Sequence, residues 1–207
     1  MKFRFVIILG ILFSLILAGC ATSNTKTDVE KNLDSVKLAA GDFPEGFKEL
    51  SDSQVKQRGI TPEGLAKAFE VFFIVAKPIN LTVFTNPGDT NGALVFALIF
   101  YPLSMGDIRG WDGQVKDPNK IAQDIASGGG QGTLVIPKPE YSGLGDSSIG
   151  FSIIYTDNSK VDFIHFRRNT TASLILIKYT DNLPVDIAQL AGKLDERIIA
   201  AYMKINN

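Results

Sequence analysis

IGFSIIYTDNSKVDFIHFRRNTTASLILIKY, residues 149–179, contains three apolar stretches separated by two short polar connectors. Each stretch is rich in β-branched and aromatic residues, which favour strands. The connectors, residues 157–159 and 168–170, are short enough to join antiparallel neighbours. The segment therefore predicts a three-stranded antiparallel meander, with strands at residues 149–156, 161–167 and 172–179.

A hairpin is predicted upstream of the meander. Residues 79–85 alternate, with Ile79, Leu81 and Val83 on one side, as a half-buried strand requires. Residues 86–92 are dense in turn formers, and residues 93–101 form an apolar return strand. A further short strand is expected at residues 133–136.

Helices are predicted between and after these strands. Thr61-Pro62-Glu63 is typical of a helix start. A second helix begins at Asp117-Pro118, whereas residues 104–113 are predicted to be a loop. The closing helix follows Pro184, and its apolar residues recur at helical spacing: Ile187, Leu190, Ala191, Leu194, Ile198 and Tyr202. We expect an α+β fold, in which an antiparallel sheet of hairpins and a meander is covered by helices and closes with the C-terminal amphipathic helix.

The amino terminus has the parts of an export signal. Two basic residues, Lys2 and Arg4, precede an apolar stretch at residues 5–18, and small residues lead to Cys20. As a helix, 14 apolar residues would reach about 21 Å, which is less than the roughly 30 Å hydrocarbon core of a bilayer. This length favours a secretory signal over a membrane-spanning helix.

The run Leu17-Ala18-Gly19-Cys20 resembles the lipobox of prokaryotic lipoprotein precursors. The resemblance implies cleavage after Gly19 and a diacylglyceryl group on Cys20, which would anchor the chain to the extracytoplasmic face of the cell membrane or of an outer membrane. Accordingly, residues 1–19 are predicted to be the signal peptide. Residues 20–37 would be the lipidated cysteine and a flexible polar tether. Residues 38–207 would form a single α+β extracytoplasmic domain.

A second resemblance concerns the domain itself. The stretch DFPEGF at residues 42–47, the stretch GLGDS at residues 143–147 that leads into the meander, and the closing helix look like secreted lipoproteins and sensor domains of the PsbP/Mog1-like fold. This resemblance implies a sandwich with a binding or accessory role outside the cytoplasm. It brings no shared catalytic residues.

Charge and cysteine content restrict the function further. Removing residues 1–19 leaves 19 basic against 22 acidic residues, a net charge of −3. A nucleic-acid partner is not expected, because such proteins concentrate basic residues on one face. Cys20 is the only cysteine, so its acylation would leave no thiol for a disulfide, a metal site or a nucleophile.

Few residues have the pattern of a catalytic or metal site. His165 is the only histidine. The residue counts would allow a Ser-His-Asp arrangement. However, His165 lies within a predicted strand, which favours a structural or surface role. The glycine run at residues 128–132 follows a helix, whereas a phosphate loop precedes one. Asp107, Asp112 and Asp117 offer only a weak calcium-site candidate. No catalytic residue, metal or cofactor is assigned.

The candidate binding residues are Arg109 and Trp111. An aromatic side chain beside arginine in a glycine-flanked loop is the composition of a binding hot spot; the alternative is that the Trp111 ring packs against the sheet. A second candidate is a basic patch of Arg167, Arg168 and Lys178, or else a solvated sheet face. Glycosylation sequons occur at Asn80 and Asn169.

These observations predict a membrane-anchored, non-enzymatic lipoprotein that binds a partner protein, an envelope polymer or a small apolar ligand. Two alternatives stay open. One is an envelope hydrolase that uses carboxylate or serine residues without a recognisable motif, and the other is a structural component of the envelope. A cleft with two carboxylates of perturbed acidity would favour the hydrolase, and an apolar groove would favour binding.

Overall fold

A computed structural model of the chain describes residues 27–68, 78–88, 92–128 and 132–204. Within these residues, seven strands form one antiparallel sheet in the order β1-β2-β3-β7-β6-β5-β4. The strands are β1 Lys48–Glu49, β2 Pro78–Thr85, β3 Leu94–Phe100, β4 Leu134–Pro137, β5 Ser147–Ile154, β6 Lys160–Arg168 and β7 Thr171–Tyr179. The helices are α1 Asp28–Asp34, α2 Asp52–Gln57, α3 Pro62–Ala68, α4 Met105–Gln114, α5 Pro118–Gly128 and α6 Ile187–Met203. The predicted α+β class is confirmed.

The predicted meander forms the centre of the sheet. Ser147 pairs with Arg167, and Lys160 pairs with Tyr179. Both connecting turns place an asparagine at positive φ, 64° at Asn158 and 52° at Asn169, a conformation that asparagine tolerates better than most residues. The predicted hairpin of β2 and β3 joins the meander through the pairing of β3 with β7.

Helices cover both faces of the sheet, so the domain has two apolar cores. The α6 core lies between the sheet and helices α1 and α6. The α4 core lies between the opposite face and helices α4 and α5. Neighbouring residues of one strand therefore bury opposite sides: Phe163 belongs to the α4 core and Ile164 to the α6 core. For the same reason Val83 and Phe84 of β2 are both buried, where the sequence predicted a half-buried strand.

The predicted loop at residues 104–113 is wrong, because this segment is helix α4. Its start is fixed by a reciprocal capping box. The Ser104 N–H donates to Asp107 Oδ2 at 2.8 Å, and the Asp107 N–H donates to Ser104 Oγ at 3.1 Å. These two bonds satisfy amides that would otherwise lack partners at the helix start. They stabilise a helix that its three glycines disfavour.

The predicted tether at residues 20–37 is too long, because α1 lies within it. The Thr27 hydroxyl accepts from the Glu30 N–H at 3.2 Å and caps α1, and Leu33 is fully buried in the α6 core. Val36 is buried in the same core, and Val29 packs against it. Cys20 and the rest of residues 1–26 lie outside the described residues. So do residues 69–77 and most of the glycine run, residues 129–131.

No helix in the described ranges has both the length and the apolar character needed to cross a membrane.

The DFPEGF stretch, residues 42–47, contacts both the closing helix α6 and strand β2. Arg197 of α6 donates two hydrogen bonds to the Asp42 carboxylate, at 2.6 and 2.9 Å. Burial alone would raise the pKa of Asp42, but the hydrogen bonds from Arg197 and from the Ala39 N–H, together with the charges of Arg197 and Lys193, lower it below its usual value. Phe43 packs against Phe84 of β2, with ring centroids 4.3 Å apart.

Candidate functional site

Trp111 is part of the α4 core. Its side chain is 1% exposed, and its ring lies over the His165 ring with centroids 4.2 Å apart. Its Nε1–H donates to Ser147 Oγ at 2.9 Å. The expectation of an exposed binding tryptophan is therefore wrong, and the alternative, a ring packed against the sheet, is confirmed. Arg109 is exposed on the other side of α4, because two helical positions are separated by about 200°.

His165 is buried beneath Trp111. Burial lowers the pKa of His165 to about 3, because the charged imidazolium is poorly solvated in an apolar core. The imidazole is therefore neutral near pH 7. The predicted structural role, rather than a catalytic one, agrees with this placement.

A pH effect on stability follows from the buried imidazole. Between about pH 6.5 and about pH 3 the unfolded chain carries a proton on His165 that the folded chain does not. The free energy of unfolding should therefore fall as the pH is lowered below about 6.5. Urea unfolding at about pH 7 and about pH 5 measures the decline, and His165→Leu should show a smaller decline over the same interval. Equal declines in the two proteins would contradict this assignment.

A charged network joins α4 to the end of β6. Arg167 donates from Nε to Asp112 Oδ1 at 3.1 Å and from Nη2 to Asp112 Oδ2 at 3.0 Å, a bidentate geometry that is among the stronger ion pairs. The same carboxylate accepts from Ser147 Oγ at 2.9 Å, and Ser147 in turn accepts from Trp111. The network thus extends from the strand end into the α4 core.

Asp146, from the GLGDS stretch, extends this network to the opposite face. It accepts from Arg167 Nη1 at 2.9 Å, from Arg168 Nη1 at 3.1 Å and from the Asn169 N–H at 2.7 Å. Arg168 also donates from Nε to Asp195 of α6 at 2.9 Å, and this hydrogen bond raises the pKa of Arg168 above its usual value. One carboxylate therefore ties together the helices on both faces of the sheet.

The predicted basic patch of Arg167, Arg168 and Lys178 is wrong, because the two arginines are paired with aspartates. Arg167 and Arg168 are consecutive in β6 and point to opposite faces, where each is paired with aspartates. Lys178 lies near the other end of the neighbouring strand, β7. The three cations therefore form neither a common patch nor a solvated face.

The three aspartates considered as a calcium site each bind a different partner within the protein. Asp107 caps α4, Asp112 binds Arg167, and Asp117 accepts from the Lys120 N–H at 3.1 Å at the start of α5. In the part of the chain that the structure describes, no group of three His, Cys, Asp or Glu side chains is placed to hold a metal ion.

A buried carboxylate that the sequence analysis did not single out lies in the α6 core. Asp162 accepts hydrogen bonds from Ser152 Oγ, from Tyr179 Oη at 3.2 Å and from Tyr141 Oη at 3.4 Å. Burial, followed by the Asp162 charge, raises the pKa of Tyr179 to about 12 and raises that of Tyr141 further. All four residues are buried, so the cluster fastens the Tyr141 turn to the sheet rather than facing a substrate. The sequence did offer one sign of this buried cluster, because Asp162 lies in the middle of an otherwise apolar strand.

A small cleft opens where α4 meets α5, beside β4 and β5. Its volume is about 180 Å³. Most of its wall is apolar or proline, with two serines and one lysine: Val115, Pro118, Pro137, Lys138, Pro139, Ser142, Ser148, Ile149 and Gly150. Carboxylates are not among these lining residues. Ser142, one of these lining residues, is exposed.

The two glycosylation sequons differ in accessibility. The Asn80 side-chain amide donates to the carbonyl oxygens of Asp34 at 3.2 Å and of Val36 at 2.8 Å. Asn169 lies exposed in the β6–β7 turn. Asn80 is only partly exposed and its amide nitrogen is hydrogen-bonded, so Asn169 is the more accessible of the two.

Comparison with models of known protein families and with curated proteins gave no match for this chain.

Proposed function

We propose that this protein is a membrane-anchored extracytoplasmic lipoprotein whose domain is a non-enzymatic binding module for a partner protein. The signal and the lipobox-like Leu17-Ala18-Gly19-Cys20 support the anchor. Two acyl chains on one cysteine would hold a soluble domain durably at a membrane, whereas a single chain is marginal.

The main support for a binding role is the cleft at the α4–α5 junction. Pockets for small ligands are commonly about 300–1,000 Å³, whereas this cleft has about 180 Å³. That volume fits one or two side chains and not a whole ligand of ordinary size. An apolar side chain of a partner protein is the occupant that fits best, because Val115, Pro118 and Ile149 line the cleft.

The contacts of three aspartates, Asp112, Asp146 and Asp162, support binding over hydrolysis. A hydrolytic pair of carboxylates needs access to a substrate and to water. Asp112 and Asp146 instead bind arginines, and Asp162 is buried among hydroxyl groups. Each of these carboxylates has a structural partner in the described part of the chain.

The cleft can be tested by filling it from its rim. Ser142→Trp should occupy the cleft without disturbing either core, because Ser142 is exposed. We expect partner capture, measured by crosslinking in intact cells and quantification of the same crosslinked protein, to fall by about tenfold or more, which corresponds to about 1.4 kcal/mol or more of binding free energy. A photoreactive side chain at position 142 should also crosslink directly to that partner.

Thr180→Trp is the matched control for this test, because Thr180 is exposed after β7 and does not line the cleft. It should leave capture unchanged, and a photoreactive group at position 180 should give no crosslink to the same protein. Undiminished capture by Ser142→Trp would refute a binding role for the cleft.

A further inference from the structure

Two exposed methionines flank the β6–β7 turn. Met105 is 62% exposed and Met203 is 60% exposed. Each lies within two residues of a contact to this turn: the Leu103 N–H donates to the Thr170 carbonyl at 2.8 Å, and Tyr202 Oη lies 3.1 Å from Thr170 Oγ1. The methionines belong to helices on opposite faces of the sheet, yet they lie at the same end of it. We call this end, with Met105, Met203 and the turn, the methionine end.

The first helix of the described residues, α1, also contacts α6 near the methionine end. Asn32 Nδ2 donates to the Ala201 carbonyl at 3.2 Å, two residues before Met203. Thr27 precedes Asn32 by about 8 Å of helix axis. Thr27 is seven positions after Cys20, and seven steps of chain span at most about 25 Å. An acyl group on Cys20 would therefore keep this end of the domain close to the bilayer.

We propose that the methionine end faces the membrane and that Met105 and Met203 insert into its interfacial layer. The proposal rests on the lipidation of Cys20 proposed above. Exposed cations lie beside both methionines: Arg109 is one helical turn after Met105 on the same side of α4, and Lys204 directly follows Met203. Apolar side chains flanked by cations suit the boundary between acyl chains and anionic headgroups.

The opposite end of the sheet then points away from the bilayer. The β5–β6 turn, with exposed Asn158, begins one full strand away from the β6–β7 turn. Strand β6 has nine residues, and nine residues of strand extend about 30 Å. This distance makes position 158 a matched reference for any measurement of depth at position 105.

Nitroxide accessibility in vesicles tests the orientation. Cys20 is the only cysteine, so in the lipidated full-length protein Met105→Cys provides the one free thiol for a spin label, and Asn158→Cys provides the reference. In vesicles of phosphatidylcholine and phosphatidylglycerol, we expect the label at position 105 to lie about 5–10 Å into the interface. It should be relaxed by lipid-soluble oxygen and protected from a water-soluble nickel chelate. The label at position 158 should show the reverse.

Flotation and labelling separate this proposal from the anchor itself. The full chain should incorporate fatty acid and float with the vesicles, and Cys20→Ser should do neither. If the full chain neither incorporates fatty acid nor floats, the anchor and the orientation are both refuted. If it floats while the label at position 105 is as open to the nickel chelate as that at position 158, the orientation is refuted and the anchor remains.

Discussion

Replacing Trp111 with alanine is expected to lower the free energy of unfolding by about 3–5 kcal/mol. The indole is 1% exposed and packs against the His165 ring, with the two ring planes tilted by 49°, in the α4 core, so its removal leaves a cavity between helix and sheet. The substitution also leaves Ser147 Oγ without the Trp111 Nε1–H, one link of the network that leads to Arg167. Urea unfolding followed by circular dichroism measures the loss without needing the tryptophan signal.

Arg109→Ala is the matched control, because it changes the exposed side of the same helix. It should alter stability by no more than about 0.5 kcal/mol. Trp111→Phe should fall between the two, since it retains an aromatic ring but cannot donate to Ser147. A loss below about 1 kcal/mol for Trp111→Ala would mean that the indole does not support the core as described.

The strands could be predicted because their signals are local. Residues 149–179 contain apolar runs of strand length, and asparagines occupy the turn positions that need positive φ. Helix α6 was predictable for a similar reason, since its buried residues recur at helical spacing. In each case the information lies within a few residues of the element it determines.

Helices α2 and α4 were missed, although each has a readable start signal. Ser51 and Gln54 form a capping box before α2, as Ser104 and Asp107 do before α4. The three glycines of α4 favoured a loop and concealed its capping box. With α4 assigned as a helix, Ile108, Trp111 and Val115 would have shown the spacing of a buried face, and the structure packs them together in the α4 core.

The charged network could not be predicted from the sequence. Arg167 and Asp112 are 55 positions apart, and nothing in the sequence near either residue indicates that they meet. Their contact depends on how α4 crosses the sheet. The extent of the tether was misjudged for a similar reason, because Leu33 and Val36 become buried only through contacts with distant parts of the fold.

Gly145→Ala is expected to lower the free energy of unfolding by about 2–5 kcal/mol. Gly145 has φ of +61°, and a Cβ there would lie 2.2 Å from the Arg167 carbonyl oxygen, a contact that only backbone movement can relieve. That movement would strain the hydrogen bond from the Asp146 N–H to the same oxygen, now 2.7 Å. It would also shift the carboxylate that joins Arg167 to Arg168.

Gly143→Ala isolates the cost of the clash from the cost of the backbone conformation. Gly143 has φ of +90°, but a Cβ there meets nothing within 4 Å, so the substitution should cost only the strain of a left-handed alanine, about 1–3 kcal/mol. Gly145→Ala bears a comparable strain and the clash with Arg167 besides. In urea unfolding it should therefore be the less stable variant by at least about 1 kcal/mol. If the two variants lose equal stability, the close approach of Gly145 to the Arg167 carbonyl does not add to the cost of the substitution.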